Sequence, residues 1–424
     1  MRDTVYWIWL SLAVTPGTDT FRKLIDKFAD AEDIYNASEN DIKGCIGSKS
    51  RNFKSLMNKD LTRARRIESF CESKGVGILS YSDERFPESL RAISKPPVLL
   101  YYRGVLPDFN KCCMLSMVGT RRLTDYGRRN AFRIGYDLAK AGAVIVSGMA
   151  IGIDGVSHAG SLSAGGINVA FLGSGIDVCY PDQHIRLARE IVKTGCVMTE
   201  YAPGTKPEKP HFPIRNRLIA GISAATVVIE GIERSGAIIT ARYAKEYEKT
   251  VYALPGNVDN KTSQVTNLLI KNGAKLITSA DDIVRDFEFV YPGIINPFNL
   301  TERFDVDMHA VFAALEVSCV SQGDKIFSSY RSKKERSSKK KAEAKVSEEA
   351  SESEKPENKP DAENAGFDKD TLRIYRKIPV SGDCTVDSLA DGTDRMPNVM
   401  KALLKLEMGR FVVMLPGERV KRNL

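Results

Sequence analysis

Glycines at the ends of short apolar runs are the first residues in this chain whose type and spacing suggest chemistry. Gly119 follows Met114–Val118 and leads into Thr120, Arg121 and Arg122. Ser147 and Gly148, then Gly152, follow Val144–Val146, and Gly173 and Gly175 follow Leu172. Ser235 and Gly236 open a stretch that carries Thr240, Ala241 and Arg242. A turn without a side chain lets an anion approach backbone N–H groups, and a helix starting there adds the positive end of its dipole. Tight strand-to-helix turns need glycine whatever binds beside them, so one such turn would say little. Four at the same ends of successive strands favour an anion site.

The fingerprints that are missing narrow the choice of anion. A dinucleotide site shows G-x-G-x-x-G after its first strand and an acid about 20 residues later. The nearest match, Gly173-Ser174-Gly175, lies on a later strand with Val178 where the third glycine belongs, and no Walker-type lysine follows any of these turns. The residues that are present point elsewhere. Arg121 and Arg122 flank the first turn, and Lys209, Arg215 and Arg217 crowd residues 207–217 together with Phe212 and Asn216. Spaced cations along a glycine-lined edge suit consecutive phosphates better than one pyrophosphate. An aromatic among them can stack on an unpaired base, typically worth ~1–3 kcal/mol.

Catalytic constellations are poor. Asp154 and His158 stand four apart, a spacing that would place a metal pair or a dyad on one helix face. A capping aspartate followed by a packed histidine produces the same pattern more often. Glu200 and Glu230 end apolar runs, but no nucleophile, base and orienting group occur together. The eight cysteines are scattered without a CxxC, and the four histidines form no zinc pattern. The expectation is a binding protein rather than an enzyme, without cofactor or metal, its thiols reduced in the cytoplasm.

The elements that must position these residues are visible in the hydropathy pattern. The 424 residues suggest roughly three domains. With 42% hydrophobic and 27% charged residues, the chain is not wholly disordered, collagenous or a disulfide scaffold. The net charge of +8 implies a polyanionic partner only where the basic residues cluster. The early apolar run Val5–Val14 is shorter than the ~20 residues a membrane span needs and lacks a small-x-small cleavage site. It reads as a buried first helix, and no membrane association is expected.

Residues 1–75 form an N-terminal helical region, with stripes at Phe21-Leu24-Ile25-Phe28 and Leu61-Ala64-Ile67-Phe70. Pro16-Gly17-Thr18 leads into a helix capped by Thr18 or Asp19. This resembles a helix-hairpin-helix unit, but the second glycine is missing and plain helical packing is expected. From 76 to 298 the pattern alternates. Strands at Met114–Val118, Val144–Val146, Asn168–Leu172, Val197–Thr199, Thr226–Ile229 and Val251–Leu254 are separated by amphipathic segments such as Tyr126–Ala141 and Ala237–Glu248. Apolar strands alternating with helices predict an α/β fold, a Rossmann-like doubly wound, mainly parallel sheet. A helical extension follows at 299–328. Residues 329–366 are a charged linker, lysine-rich and then glutamate-rich. Residues 367–424 have the helix, helix, hairpin pattern of a winged-helix domain.

Taken in order, these motifs have a counterpart. Val118-Gly119-Thr120-Arg121-Arg122, Ser147-Gly148-x-Ala150-x-Gly152-Ile153-Asp154-x-x-x-His158, Leu172-Gly173-Ser174-Gly175-Ile176-Asp177-x-x-Tyr180-Pro181 and Thr199-Glu200-Tyr201-x-Pro203-Gly204-Thr205 come first. Phe212-Pro213-x-Arg215-Asn216-Arg217-x-Ile219-Ala220-Gly221, Ser235-Gly236-x-x-x-Thr240-Ala241-Arg242 and Leu254-Pro255-Gly256 follow. The chain resembles the bacterial DNA-processing protein A (DprA/Smf) family over residues 80–285.

The resemblance implies a Rossmann-like domain that binds single-stranded DNA, forms a homodimer, protects incoming DNA and loads RecA recombinase onto it during natural transformation. It implies DNA contacts at Arg121, Lys209 and Phe212, with the Arg215-Asn216-Arg217 cluster and the Ser235-Gly236 turn beside them. The rival expectation is hydrolysis of nucleoside monophosphates, since the fold resembles that of the lysine-decarboxylase-like phosphoribohydrolases. Those carry P-G-G-x-G-T-x-x-E. Here the stretch reads Ser235-Gly236-Ala237-Ile238-Ile239-Thr240, and Tyr243 stands where the catalytic glutamate would fall. A transcriptional regulator reading duplex through the winged helix is a third option. Only Lys401 and Lys405 lie in the Pro397–Glu407 helix, which is thin for groove readout.

Overall fold

The apolar runs between 77 and 276 build one nine-stranded sheet. Its strands are β1 (Gly77–Ser80), β2 (Leu99–Gly104), β3 (Met114–Val118), β4 (Val144–Ser147), β5 (Asn168–Phe171), β6 (Cys196–Thr199), β7 (Ala225–Val228), β8 (Thr250–Ala253) and β9 (Lys275–Leu276). The structure is a computed structural model that describes residues 4–232, 235–300, 305–317, 368–379, 384–390, 412–415 and 419–422, together with 396, 398, 399, 402, 403 and 406. The expected linker at 329–366 and much of the expected 299–328 extension lie outside the described residues. The chain divides into two units, Met1–Lys334 and Glu335–Leu424.

The strand order is β1-β2-β6-β5-β4-β3-β7-β8-β9. Strands β3 to β9 pair in parallel, whereas β2 runs antiparallel to both β6 and β1. Every residue of β3, β4, β5, β6 and β7 is buried. A parallel sheet covered on both faces demands this, and it explains why those strands read as continuous apolar runs. The antiparallel edge was not expected, because Tyr101, Tyr102 and Arg103 make β2 look only half apolar. From β3 the chain builds β4, β5 and β6 on one side, then returns through the His211–Ile222 helix to β7 on the other side. That reversal opens a crevice at the carboxyl ends of β3 and β7, where open α/β sheets take ligands.

The two faces of the sheet carry separate cores. Along β3, Leu115 and Met117 belong to one, and Met114 and Val118 to the other, as the two-residue period of a strand requires. The first core continues without a break into the N-terminal helices through Val5, Ile8, Leu10, Phe21 and Leu24. The turn at Pro16–Thr18 is part of this packing. A side chain at Gly17 would come within 2.9 Å of Ile214, so the turn is pressed against the His211–Ile222 helix rather than offered to a phosphate. Among the described residues, no helix is long and apolar enough to cross a membrane.

The second unit has a helix at Lys369–Lys377, β10 (Cys384–Thr385), a 3-10 turn at Val386–Leu389, β11 (Val412–Leu415) and β12 (Arg419–Arg422). Its three strands are antiparallel in the order β10-β12-β11, over a core that includes Ile374, Leu389, Val399, Leu403 and Val420. In the stretch expected as the Pro397–Glu407 helix, residues 398, 399, 402, 403 and 406 are helical.

The shared first core makes a prediction. The chain's two tryptophans, Trp7 and Trp9, both lie in the Thr4–Ala13 helix, so tryptophan fluorescence reports on the N-terminal layer alone. Leu10→Ala, at a fully buried position, should cost ~2–5 kcal/mol. Urea unfolding followed by fluorescence and by circular dichroism should then show the transition of the sheet moving together with that of the helices. Separate transitions for the two would contradict a common core.

Candidate nucleic-acid interface

The crevice is a groove of about 1260 Å³ walled by the turns after β3, β4, β5, β6, β7 and β8. Of the residues expected to contact a polyanion, Gly119, Thr120, Arg121, Arg122, Lys209, Phe212, Arg215, Asn216, Ser235 and Gly236 line it. Arg121, Arg122 and Lys209 are exposed, and so is Lys261, which sequence reasoning missed. Among the described residues, none of these four has a carboxylate within ion-pair distance. Lys261 sits on the turn after β8, at the same sheet edge as the others. The rule that placed the earlier turns at that edge could have found it.

Three expected residues are elsewhere. Ser147 is fully buried, and its Oγ donates to the Met117 carbonyl at 2.6 Å, latching β4 to β3. Gly148 is buried under the Arg215 guanidinium and accepts from its Nη1 at 2.8 Å. Arg217 is only 1% exposed and donates to both oxygens of Glu200, at 2.8 and 2.6 Å. Two residues along a helix is a turn of about 200°. Arg215 therefore points to the groove while Arg217 points to the N-terminal helices, where it lines a small cleft with Gly17 and Phe21.

The arginine that does reach the groove forms its floor. Arg215 is 3% exposed and donates to the Gly148 and Phe171 carbonyls, tying together the ends of β4 and β5. Its Nε donates to Asn216 Oδ1 at 3.1 Å, and Asn216 Nδ2 donates to the Gly236 carbonyl at 3.2 Å. Burial pushes the Arg215 guanidinium down to about 10, with the nearby Asp154 opposing. It therefore stays charged at neutral pH. At the other end of the same helix, Lys249 Nζ donates to the Ala220 and Gly221 carbonyls.

Phe212 occupies a prepared seat. A side chain at Gly173 would come within 2.9 Å of its ring, the Arg121 guanidinium lies 5.3 Å from the ring centroid, and Tyr180 stands 5.5 Å away. Most of the glycines read as anion cradles are used in this way. Gly119 faces the Glu230 carbonyl, Gly148 the Arg215 guanidinium and Gly175 the Ala202 carbonyl. The turn at Gly236 stays open, with only the Asn216 amide at 3.4 Å.

The acids are committed to structure. Glu230 is 1% exposed and accepts from Thr124 N at 2.9 Å, Thr124 Oγ1 at 2.5 Å and Thr262 Oγ1 at 3.0 Å. Its backbone carbonyl accepts from Thr120 N at 2.8 Å. Asp154 accepts from Gly148 N at 3.2 Å, and burial raises its pKa against the pull of Arg215. His158 bonds through Nδ1 to Asn168 Oδ1 at 2.8 Å, and burial pushes it down to about 4. Among the described residues, no group of three or more histidine, cysteine or acidic side chains could hold a metal ion.

The model of the family described as DNA recombination-mediator protein A matches residues 77–288. The chain belongs to this family. The DNA processing protein DprA of Streptococcus pneumoniae is 40% identical over 210 residues, covering 50% of this chain and 74% of that one. The DprA of Bacillus subtilis is 36% identical over 221 residues, covering 52% and 74%. The X-ray structure of the pneumococcal DprA superposes with a TM-score of 0.59 at 33% identity, covering 68% of this chain and all of that one. In this member of the DNA recombination-mediator protein A family, the matched span contains the whole wall of the groove.

Two predictions test the buried groups. Arg217→Ala strands the Glu200 carboxylate and should cost ~3–5 kcal/mol in denaturant unfolding; parental stability would mean the pair is not buried. For His158, the folded value of about 4 lies below the ordinary 6.5, so the unfolded chain binds the proton first. Stability should fall as pH drops from 6.5 towards 4, and His158→Gln should remove that part of the slope in urea titrations across the same window.

Proposed function

We propose that this chain binds single-stranded DNA along the groove without regard to base sequence, shields it, and passes it to RecA recombinase during DNA uptake. In this reading it is a binding protein and not an enzyme, and it works as a homodimer in the cytoplasm. The observation that carries the DNA contact is the set of exposed cations, Arg121, Arg122, Lys209 and Lys261, which among the described residues have no carboxylate partners, around a half-buried Phe212. Cations at several points along one groove suit a run of phosphates. A half-exposed ring among them favours bases that are free to stack. Membership in a DNA-processing family supports the same direction, and the RecA and homodimer parts rest on that kinship. The second unit is proposed as a winged helix with a partner-docking or dimer role.

The hydrolase alternative loses its acids. Glu230 is fully engaged by two threonines, Asp154 braces the Gly148 turn, and Tyr243 occupies the place of a catalytic glutamate.

Fluorescence anisotropy on labelled oligothymidylate, the matching duplex and AMP, with salt varied, tests the proposal. Affinity for the single strand should fall steeply with salt as counterions are released. Arg121→Ala, Lys209→Ala and Lys261→Ala should each flatten the log–log salt slope by ~0.7–1. Parental slopes in all three, or equal affinity for duplex, would overturn the reading. Release of base from AMP, lost in Glu230→Gln or Asp154→Asn, would restore the hydrolase.

A further inference from the structure

Tyr180 stands beside Phe212 with part of its ring left open to the groove. It lies on the turn after β5, lines the groove, and is 40% exposed. Its ring centroid is 5.5 Å from that of Phe212 with the planes tilted by 43°. Among the described residues its hydroxyl has no hydrogen-bond partner. Phe212 is fixed by the Gly173 seat and by Arg121, so it does not depend on Tyr180 for its orientation. Here the exposed ring stands beside an aromatic and a cation already facing the groove.

We infer that Tyr180 is a second base-binding position, a π-face that takes an unpaired nucleobase next to the one stacked at Phe212. The inference deepens the single-strand reading and rests on it. The two rings are neighbours but not coplanar, so bases lying on both are turned away from each other. A bare strand can adopt that arrangement, because its backbone bends freely between nucleotides. A duplex cannot, since its bases are paired and stacked on one another. Arg121 over Phe212 and Lys209 on the adjoining turn supply the phosphate contacts between the two bases. Because every base has a π-face, the position tolerates any sequence. Tyr180 thus adds selectivity for single strands without adding selectivity for sequence.

The experiment compares oligothymidylate with an abasic strand of the same length, which offers phosphate and sugar but no base. The parent, Tyr180→Ala, Tyr180→Phe and Phe212→Ala are titrated by anisotropy across a series of salt concentrations, after thermal melting shows each to be folded. Tyr180→Ala should bind oligothymidylate about tenfold more weakly, and Tyr180→Phe should restore the affinity. On the abasic strand, parent and Tyr180→Ala should bind alike, and the salt slope should not change. An equal loss on both strands would make Tyr180 a shaper of its turn and overturn the inference. No loss on either strand would overturn it too, while leaving the single-strand reading intact. A parent that binds neither strand would remove the reading on which it stands.

Discussion

The groove is held open by one buried carboxylate. Glu230 sits at the end of β7 and joins the turn after β3 to the turn after β8, through Thr124 on one side and Thr262 on the other. A buried carboxylate is tolerable only when its oxygens are satisfied, and here three donors meet them. Thr124 also caps the Asp125–Lys140 helix, its Oγ1 accepting from Gly127 N at 3.1 Å. A side chain at Gly127 would run into Glu230, which accounts for that glycine in the first turn of a helix. The spacing of Arg121 and Arg122 from Lys261 is thus set by an acid that lies behind the groove wall and is not part of its lining.

Arginine serves three purposes in and around the groove, and position on the backbone decides which. Arg121 stands exposed on a turn and keeps its charge available. Arg215, two residues before Arg217 in the same helix, is buried against carbonyl oxygens and braces two strand ends. Arg217 faces the opposite way and is neutralised by Glu200. Charge type alone marks all three as phosphate ligands. The helical period separates Arg215 from Arg217, because a rotation of about 100° per residue carries alternate positions to opposite sides.

The strands around the switch point were legible because burial on both faces leaves an unbroken apolar run. β3 to β8 coincide with the expected runs to within a residue or two. β1 and β2 were not legible, since an antiparallel edge with one wetter face blurs into its surroundings. The glycines were correctly placed at one edge of the sheet but misread in purpose. A missing side chain makes room for whatever is close, and at Gly119, Gly148 and Gly173 what is close is a protein atom. Arg217 was misread for want of its partner, as Glu200 lies 17 residues away and only the fold brings them together. Lys261 was overlooked because it stands alone, whereas the other cations come in pairs or clusters.

The His211–Ile222 helix is engaged along its whole circumference. Phe212, Arg215 and Asn216 face the groove, Ile214 meets Gly17, Arg217 meets Glu200, and Lys249 grips the last carbonyls. Such a helix tolerates exchange of one side chain far better than any change in its length. Adding or deleting a single residue would swing everything beyond it by about 100°; a deletion, for one, would bring the floor arginine to the position that meets Gly17 and carry Arg217 away from Glu200. Insertions and deletions among relatives of this chain should therefore gather in the loop before Pro210 and spare the helix itself.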